Sequence, residues 1–239
     1  MKARTVLLLN CSTYVERDFR NLKKFIYRFF KFKFLLKDRN VNLQFGFQRI
    51  KQYEKGLKQL QNLKIFELFD QIIFTDNTVP NKYFLPPSFK KILPTQTKYI
   101  LRRKNIYKNI GKGAGMIENL KYCINSISDV DFIYYFEPRL ILINKNSILD
   151  FVNNPCNVFK EDSEYYKSGY FGVNYIDLIN FLNKLNFDEL ITAQSTAEKL
   201  IYEYFKNLNP KILDSSITLR NYGFENKMSI HDEKAYHKY

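Results

Sequence analysis

Glu137-Pro138-Arg139 directly follows the apolar run Asp131-Phe132-Ile133-Tyr134-Tyr135-Phe136. A carboxylate there could ligate a hard cation or hold sugar hydroxyls. A guanidinium two residues on could grip a diphosphate through paired hydrogen bonds, the task a divalent metal otherwise performs. A plain ion pair at a strand end is the competing reading. Upstream, Gly111-Lys112-Gly113-Ala114-Gly115 places three of the eight glycines within five residues, so backbone can come close to a phosphate or a sugar. Lys108, Asn109, Gly111, Lys112 and Gly113 are the candidate contacts, or else a turn of positive φ with a helix cap. The loop is neither a Walker A motif nor GxGxxG. Asp76 and Asn77 are candidates to touch a base or ribose, with an Asx-turn as the alternative. Arg49 and Tyr53, four apart, share one helical face and reach phosphates or rim the core. Glu118, one turn into the next helix, faces the site or serves the helix N-terminus.

The elements that must position these residues follow from periodicity. Thr5 to Asn10 reads as a first strand closed by Cys11-Ser12-Thr13. A helix is expected over about 49–68, where Ile50, Tyr53, Leu57, Leu60 and Leu63 recur at three- and four-residue steps. Phe69 to Phe74 reads as a strand, Val79 to Pro94 as an irregular loop because it holds four of the seven prolines, and Tyr99 to Leu101 as a strand. A helix carrying Met116, Ile117, Leu120, Ile124 and Ile127 then leads to the Asp131–Phe136 strand, whose nearly unbroken apolar character suits a buried parallel sheet. Beyond it, helices are expected over Ser147–Val152, Tyr175–Leu185, Ser195–Lys206 and part of the tail, with a strand at Gly169–Val173. Ligands of open α/β sheets collect at the carboxyl ends of strands, where Glu137 and Asp76 fall.

The 239 residues are 45% hydrophobic, enough for a sizeable core. One domain is expected over 1–239, with 1–142 as a donor part and 143–239 as an acceptor side ending in a helical tail. Three scattered cysteines and two histidines speak against a disulfide scaffold or structural zinc. Val6-Leu7-Leu8-Leu9 is too short for a signal segment and no run approaches a membrane span, which makes a cytoplasmic location the expectation. The net charge of +14 favours anionic partners. The basic, aromatic stretch Tyr14–Asp38, with Phe19–Leu36 inside it, suits either an anionic membrane surface or a helix covering the sheet. The 22 Phe and 18 Tyr offer stacking surfaces for nucleic acid, but no RNP, KH or helix-turn-helix signature accompanies them, so nucleic acid is not the expected partner.

The order of elements from Thr5 to Val173 resembles the GT-A class of glycosyltransferases, especially the bacterial enzymes of capsule and lipopolysaccharide synthesis. The resemblance is sharpest over Asn105–Leu142. It implies a Rossmann-like, mostly parallel sheet flanked by helices and a nucleotide sugar as donor, with a glycan or lipid-linked acceptor at the inner face of the cytoplasmic membrane. In that class the turn after the corresponding strand carries Asp-x-Asp, which holds Mn²⁺ or Mg²⁺ on the diphosphate. Here it carries Glu137-Pro138-Arg139, so any metal would rest on Glu137, and metal-independent binding through Arg139 is equally compatible. Asp129-Val130-Asp131 lies at the wrong end of the strand and reads as polar residues where that strand begins. An inverting transfer needs one general base for the acceptor hydroxyl. Glu164, Asp188, Glu189 and Glu198 are candidates, with Glu198 favoured, and Ser168 and Gly169 would close the acceptor side. A sugar nucleotidyltransferase is the enzymatic alternative, although its glycine loop would be expected after the first strand.

Overall fold

The computed structural model describes residues 2–13, 49–103, 113–191, 195–221 and 228–230. Strand β1, Thr5–Cys11, is buried at all seven positions. It pairs in parallel with β2, Gln71–Asp76, and with β4, Phe132–Phe136. On the far side of β2 lies β3, Lys98–Leu101, also parallel. The chain therefore runs outward from β1 through β2 to β3, then returns to place β4 on the other flank of β1. That reversal makes the carboxyl ends of β1 and β4 the switch point of the sheet, where an open α/β fold has its crevice.

Past β4 the sheet changes direction. Strand β9, Tyr170–Asn174, runs antiparallel to β4, with Phe136 opposite Tyr170 and Phe132 opposite Asn174. Two-residue strands β6, Val158–Phe159, and β10, Lys211–Ile212, complete a seven-stranded sheet of order β10-β6-β9-β4-β1-β2-β3. The antiparallel sense of β9 brings the Ser168-Gly169 segment that precedes it to the carboxyl end of β4.

Side-chain alternation explains why strands with unbroken apolar runs form the middle of this sheet. Leu7, Leu9, Tyr134 and Phe136 pack into one layer with Tyr53, Leu57 and Leu60 of helix α1, described over 49–62. Helix α2, Pro87–Ile92, and helix α4, Asn146–Asn153, cover the same face through Phe89 and Phe151. Val6, Leu8, Ile133 and Tyr135 point the other way, onto α3, Ala114–Ile124, and α5, Tyr175–Lys184. The short α6, Phe187–Ile191, and α7, Ala197–Phe205, complete that layer. The result is the expected α/β fold, a mostly parallel sheet with helices on both faces. At Gly172, a Cβ would lie 2.4 Å from a ring carbon of Phe151. Gly172→Ala is accordingly expected to cost about 1–3 kcal/mol in urea unfolding, with Phe151→Leu recovering part of the loss.

Several expectations are corrected. The first helix stops at 62 rather than 68 because Lys64 takes a left-handed conformation, φ 58, before a 3-10 turn at Ile65–Glu67. Val79–Pro94 is not irregular throughout: it holds a 3-10 turn at Lys82–Phe84 and helix α2. Proline suits the first turn of a helix, where its missing N–H has no partner to lose. The tail is not helical where it is described. Strands β11, Thr218–Asn221, and β12, Met228–Ile230, pair antiparallel and join β5, Leu140–Leu142. The Leu140–Leu142 run needed an edge partner that lies more than 70 residues away in the chain. A small hairpin, β7 Glu161–Asp162 with β8 Tyr165–Tyr166, was also not foreseen. Phe19–Leu36 lies outside the described residues.

Candidate functional site

The switch point collects charge. Glu137 and Arg139 leave β4 in a tight turn, Leu140 N–H donating to the Glu137 carbonyl at 3.0 Å. The Arg139 guanidinium closes onto Glu137: Nε donates to Oε1 at 2.5 Å, and one terminal nitrogen contacts the same oxygen. Both side chains keep part of their surface in solvent, 36% for Arg139 and 24% for Glu137. Burial acts to lower the Arg139 pKa, but the Glu137 carboxylate, helped by Tyr53 and Tyr135, raises it above the ordinary guanidinium value. A permanent cation that keeps part of its side chain in solvent therefore stands at the carboxyl end of β4.

Beneath this turn runs α1. A Cβ on Gly56 would lie 1.9 Å from the Pro138 carbonyl oxygen and 2.8 Å from that of Leu140, so a glycine is required for the helix to pass under the turn. One helical turn earlier, Tyr53 is fully buried, and its hydroxyl accepts from the Ser12 N–H at 2.9 Å. Arg49 donates through Nε to the Ser12 carbonyl at 2.5 Å, and its Nη2 lies 3.5 Å from the Tyr53 hydroxyl. Arg49 and Tyr53 thus grip the loop that closes β1. Burial, opposed by Arg49 and Arg139, pushes the Tyr53 hydroxyl well above its usual range, so it stays protonated. Cys11 beside it is also pushed up, by burial and then by Asp76 and Glu137, which leaves an inert thiol.

Asp76 and Asn77 serve the protein's own loops. Asp76 is fully buried. One oxygen accepts from Thr13 N–H at 2.9 Å and Thr13 Oγ1 at 2.5 Å, the other from Thr78 N–H at 2.7 Å and Thr78 Oγ1 at 2.5 Å. Four donors occupy this carboxylate. Asn77 accepts from Ser12 Oγ at 2.8 Å and donates to the Gly115 carbonyl at 3.2 Å, which ties the end of β1 to the first turn of α3. Lys108, Asn109, Gly111 and Lys112 lie outside the described residues. Gly113 caps α3 with φ 87, and a Cβ there would meet Ala197 Cβ at 2.4 Å.

That contact brings in α7. Ser168 Oγ donates to Glu198 Oε1 at 2.7 Å, and the Glu137 N–H donates to the Gly169 carbonyl at 2.8 Å. A continuous path of contacts therefore links Glu137, Gly169, Ser168, Glu198 and, through Ala197, Gly113. Thr196 caps α7 by accepting from the Lys199 N–H at 3.3 Å, which fixes Glu198 in its first turn. The rival carboxylates lie differently. Glu164 is exposed in the β7–β8 turn, Glu189 accepts from Asn186 Nδ2 at 3.2 Å on α6, and the Asp188 side chain is outside the described residues. Glu118 pairs at 3.4 Å with Arg102, whose guanidinium stacks over Tyr122. Asp131, where β4 begins, accepts from the Arg4 N–H at 2.8 Å, which holds β4 to the start of β1.

Three features escaped sequence reasoning. A buried polar chain underlies the site: Asn10 Nδ2 donates to the Tyr135 hydroxyl at 2.6 Å, and Asn119 Nδ2 donates to Asn10 Oδ1 at 2.5 Å and to Thr75 Oγ1 at 3.1 Å. Asn119 sits on the apolar stripe of α3, and its polarity at a core position was the available signal. Gly56 was legible as an isolated glycine inside a helical pattern, which usually has a packing reason. Ser12 and Thr13 carry no such signal.

Among the described residues, the donor set around Glu137 offers a hard divalent cation one carboxylate whose Oε1 already faces a guanidinium, and no group of three or more His, Cys, Asp or Glu converges there. No helix among the described residues is long and apolar enough to cross a membrane.

No protein-family model matches the chain, and no curated protein matches it significantly. Solved structures do. One is the crystal structure of a "putative nucleotide-diphospho-sugar transferase" from Desulfovibrio desulfuricans G20, with 12% sequence identity and a TM-score of 0.47, over 88% of this chain and 79% of that one.

Proposed function

We propose that this chain transfers a sugar from a nucleotide-activated donor to a glycan or lipid-linked acceptor, with inversion at the anomeric carbon and without a protein-held metal. The observation that carries the reading is the convergence at the switch point: a cation whose side chain keeps part of its surface in solvent, Arg139, and a carboxylate held by a serine, Glu198, are linked through the Glu137–Gly169 bond. An α/β sheet binds its ligand at this end.

The nucleotide diphosphate would lie over the ends of β1 and β4, with Arg139 facing its oxygens. As the acceptor hydroxyl attacks the anomeric carbon, the bond from that carbon to the phosphate oxygen breaks and the diphosphate leaves with the electron pair. Arg139 stabilises the negative charge as it develops. Glu198 takes the hydroxyl proton, and Ser168, bonded to its Oε1, orients it so that Oε2 faces the acceptor. The N-terminus of α3 adds a positive end of backbone dipole at the same end of the sheet.

Thermal shift of the purified protein against UDP, GDP, CMP and dTDP sugars, with Mn²⁺ and with EDTA, tests this. A ligand bound only by the native state at about 100 times its Kd stabilises by about 2.7 kcal/mol. One nucleotide class should raise the melting temperature equally in Mn²⁺ and EDTA. No shift with any nucleotide, together with salt-sensitive binding to RNA, would overturn the reading. Glu198→Gln should lower the transfer rate by about 10²–10⁴-fold, the usual contribution of a general base, while the donor-induced thermal shift stays.

A further inference from the structure

The turn that carries Arg139 crosses between two sheets. Phe136, before it, belongs to the seven-stranded sheet, and Leu140, after it, begins β5 of the three-stranded one. The entry to the turn is held by the bond from the Glu137 N–H to the Gly169 carbonyl at 2.8 Å. The exit is held by the tail of the chain. Leu140 pairs with Arg220, Ile141 with Leu219 and Leu142 with Thr218, and the Ile143 N–H donates to the Ile217 carbonyl at 2.9 Å. Among the described residues, β11 is the strand that pairs with β5. The segment that leads into β11 is itself anchored: Ile217 and Thr218 are buried, and the Ser216 hydroxyl lies 3.3 Å from that of Tyr170, the first residue of β9.

We propose that β11 is a positioning strap for Arg139: by pairing with β5 at the residue next to Arg139, the tail fixes where the guanidinium stands relative to the donor diphosphate. A strand of three residues such as β5 takes its conformation from the edge it meets rather than from its own propensity. Without β11 the backbone groups of Leu140–Leu142 lose their ladder partners, and the turn is left fixed at its entry alone. Displacing a reacting group by about 1 Å can cost about 10²-fold in rate. The seven-stranded sheet does not include β11, so detaching the strap should cost transfer more than folding. The inference rests on the sugar-transfer reading and adds to it a segment that brings no reacting group of its own.

Leu219→Pro tests it. The alternation of an antiparallel ladder makes Leu219, two residues beyond Ile217 and opposite Ile141, the next position to exchange bonds with β5, and proline has no N–H to give. We expect kcat/KM for transfer to fall about 10²-fold while the cooperative urea transition remains. Leu219→Val keeps the N–H and a strand-forming side chain and should retain about half or more of the activity. In an Arg139→Ala background the proline should cost less than about threefold, because two changes that act through one guanidinium do not add. A further loss of the full size in that background would overturn the proposal. So would loss of the urea transition in Leu219→Pro, which would make β11 part of the core instead of a device for the turn. Full transfer by Leu219→Pro would overturn this inference alone, whereas no transfer by the unaltered chain would overturn the sugar-transfer reading and this inference with it.

Discussion

Arg139→Ala is expected to lower kcat/KM for sugar transfer by about 10²–10³-fold, the usual cost of removing one donor aimed at developing charge. The structure sharpens this test. Arg139 is partnered by Glu137, so its loss removes a cation and also leaves a carboxylate facing the site, where it would repel a diphosphate. Both side chains keep solvent contact, so the stability cost should stay within about 1 kcal/mol, and urea unfolding would separate a catalytic loss from a folding one. Arg139→Lys should recover only part of the activity, because an ammonium keeps the charge without the planar fork. Glu137→Gln removes the charge that holds the guanidinium and should also abolish most transfer with the fold intact. Full activity in Arg139→Ala and Glu137→Gln would remove the switch-point turn from the mechanism.

Gly56→Ala is expected to be the most damaging single-methyl change. The added carbon would meet a backbone oxygen 1.9 Å away, and neither helix α1 nor the Glu137-Pro138-Arg139 turn can swing clear as a flexible side chain would. We expect a loss of about 3 kcal/mol in urea unfolding, the upper part of the range for overpacking, and a fall in kcat/KM in the folded fraction, because the displaced turn carries Arg139. Alanine ordinarily stabilises a helix interior relative to glycine by about 1 kcal/mol, so the sign of the effect is diagnostic. A more stable Gly56→Ala variant would show that the helix does not pass this close. Gly169→Ala is a fair control, since its Cβ would meet only the Cδ1 end of Leu140, a side chain able to rotate away.

The two expectations differ in what made them visible. Arg139 stood out in the sequence because a charged turn follows a long apolar run. Its partnership with Glu137 needed only two residues of separation. Gly56 needed Pro138, 82 positions later in the chain, before its absent side chain acquired meaning. Ser168 and Glu198 were separate candidates, and their 2.7 Å bond exists because β9 runs antiparallel to β4. Asp76 and Asn77 were legible as polar strand-end residues. That Thr78 bonds the Asp76 carboxylate two residues back is the local Asx-turn offered as the alternative reading, whereas the Thr13 contacts depend on two loops meeting at the end of the sheet.

By itself, the sequence determined the α/β class, the identity of β1, β2, β3, β4 and β9, the helices on either side, and the end of the sheet where charge gathers. These follow from hydrophobic period, a local property of ten or so residues that a packed layer then enforces. Only the tertiary structure decided the antiparallel return of β9, the strands of the tail, the length of the first helix and the helix within the proline-rich segment. Strand pairing between Leu140–Leu142 and Thr218–Asn221 satisfies backbone groups that carry no residue-specific signal, and short strands take their conformation from the edge they meet rather than from their own propensity.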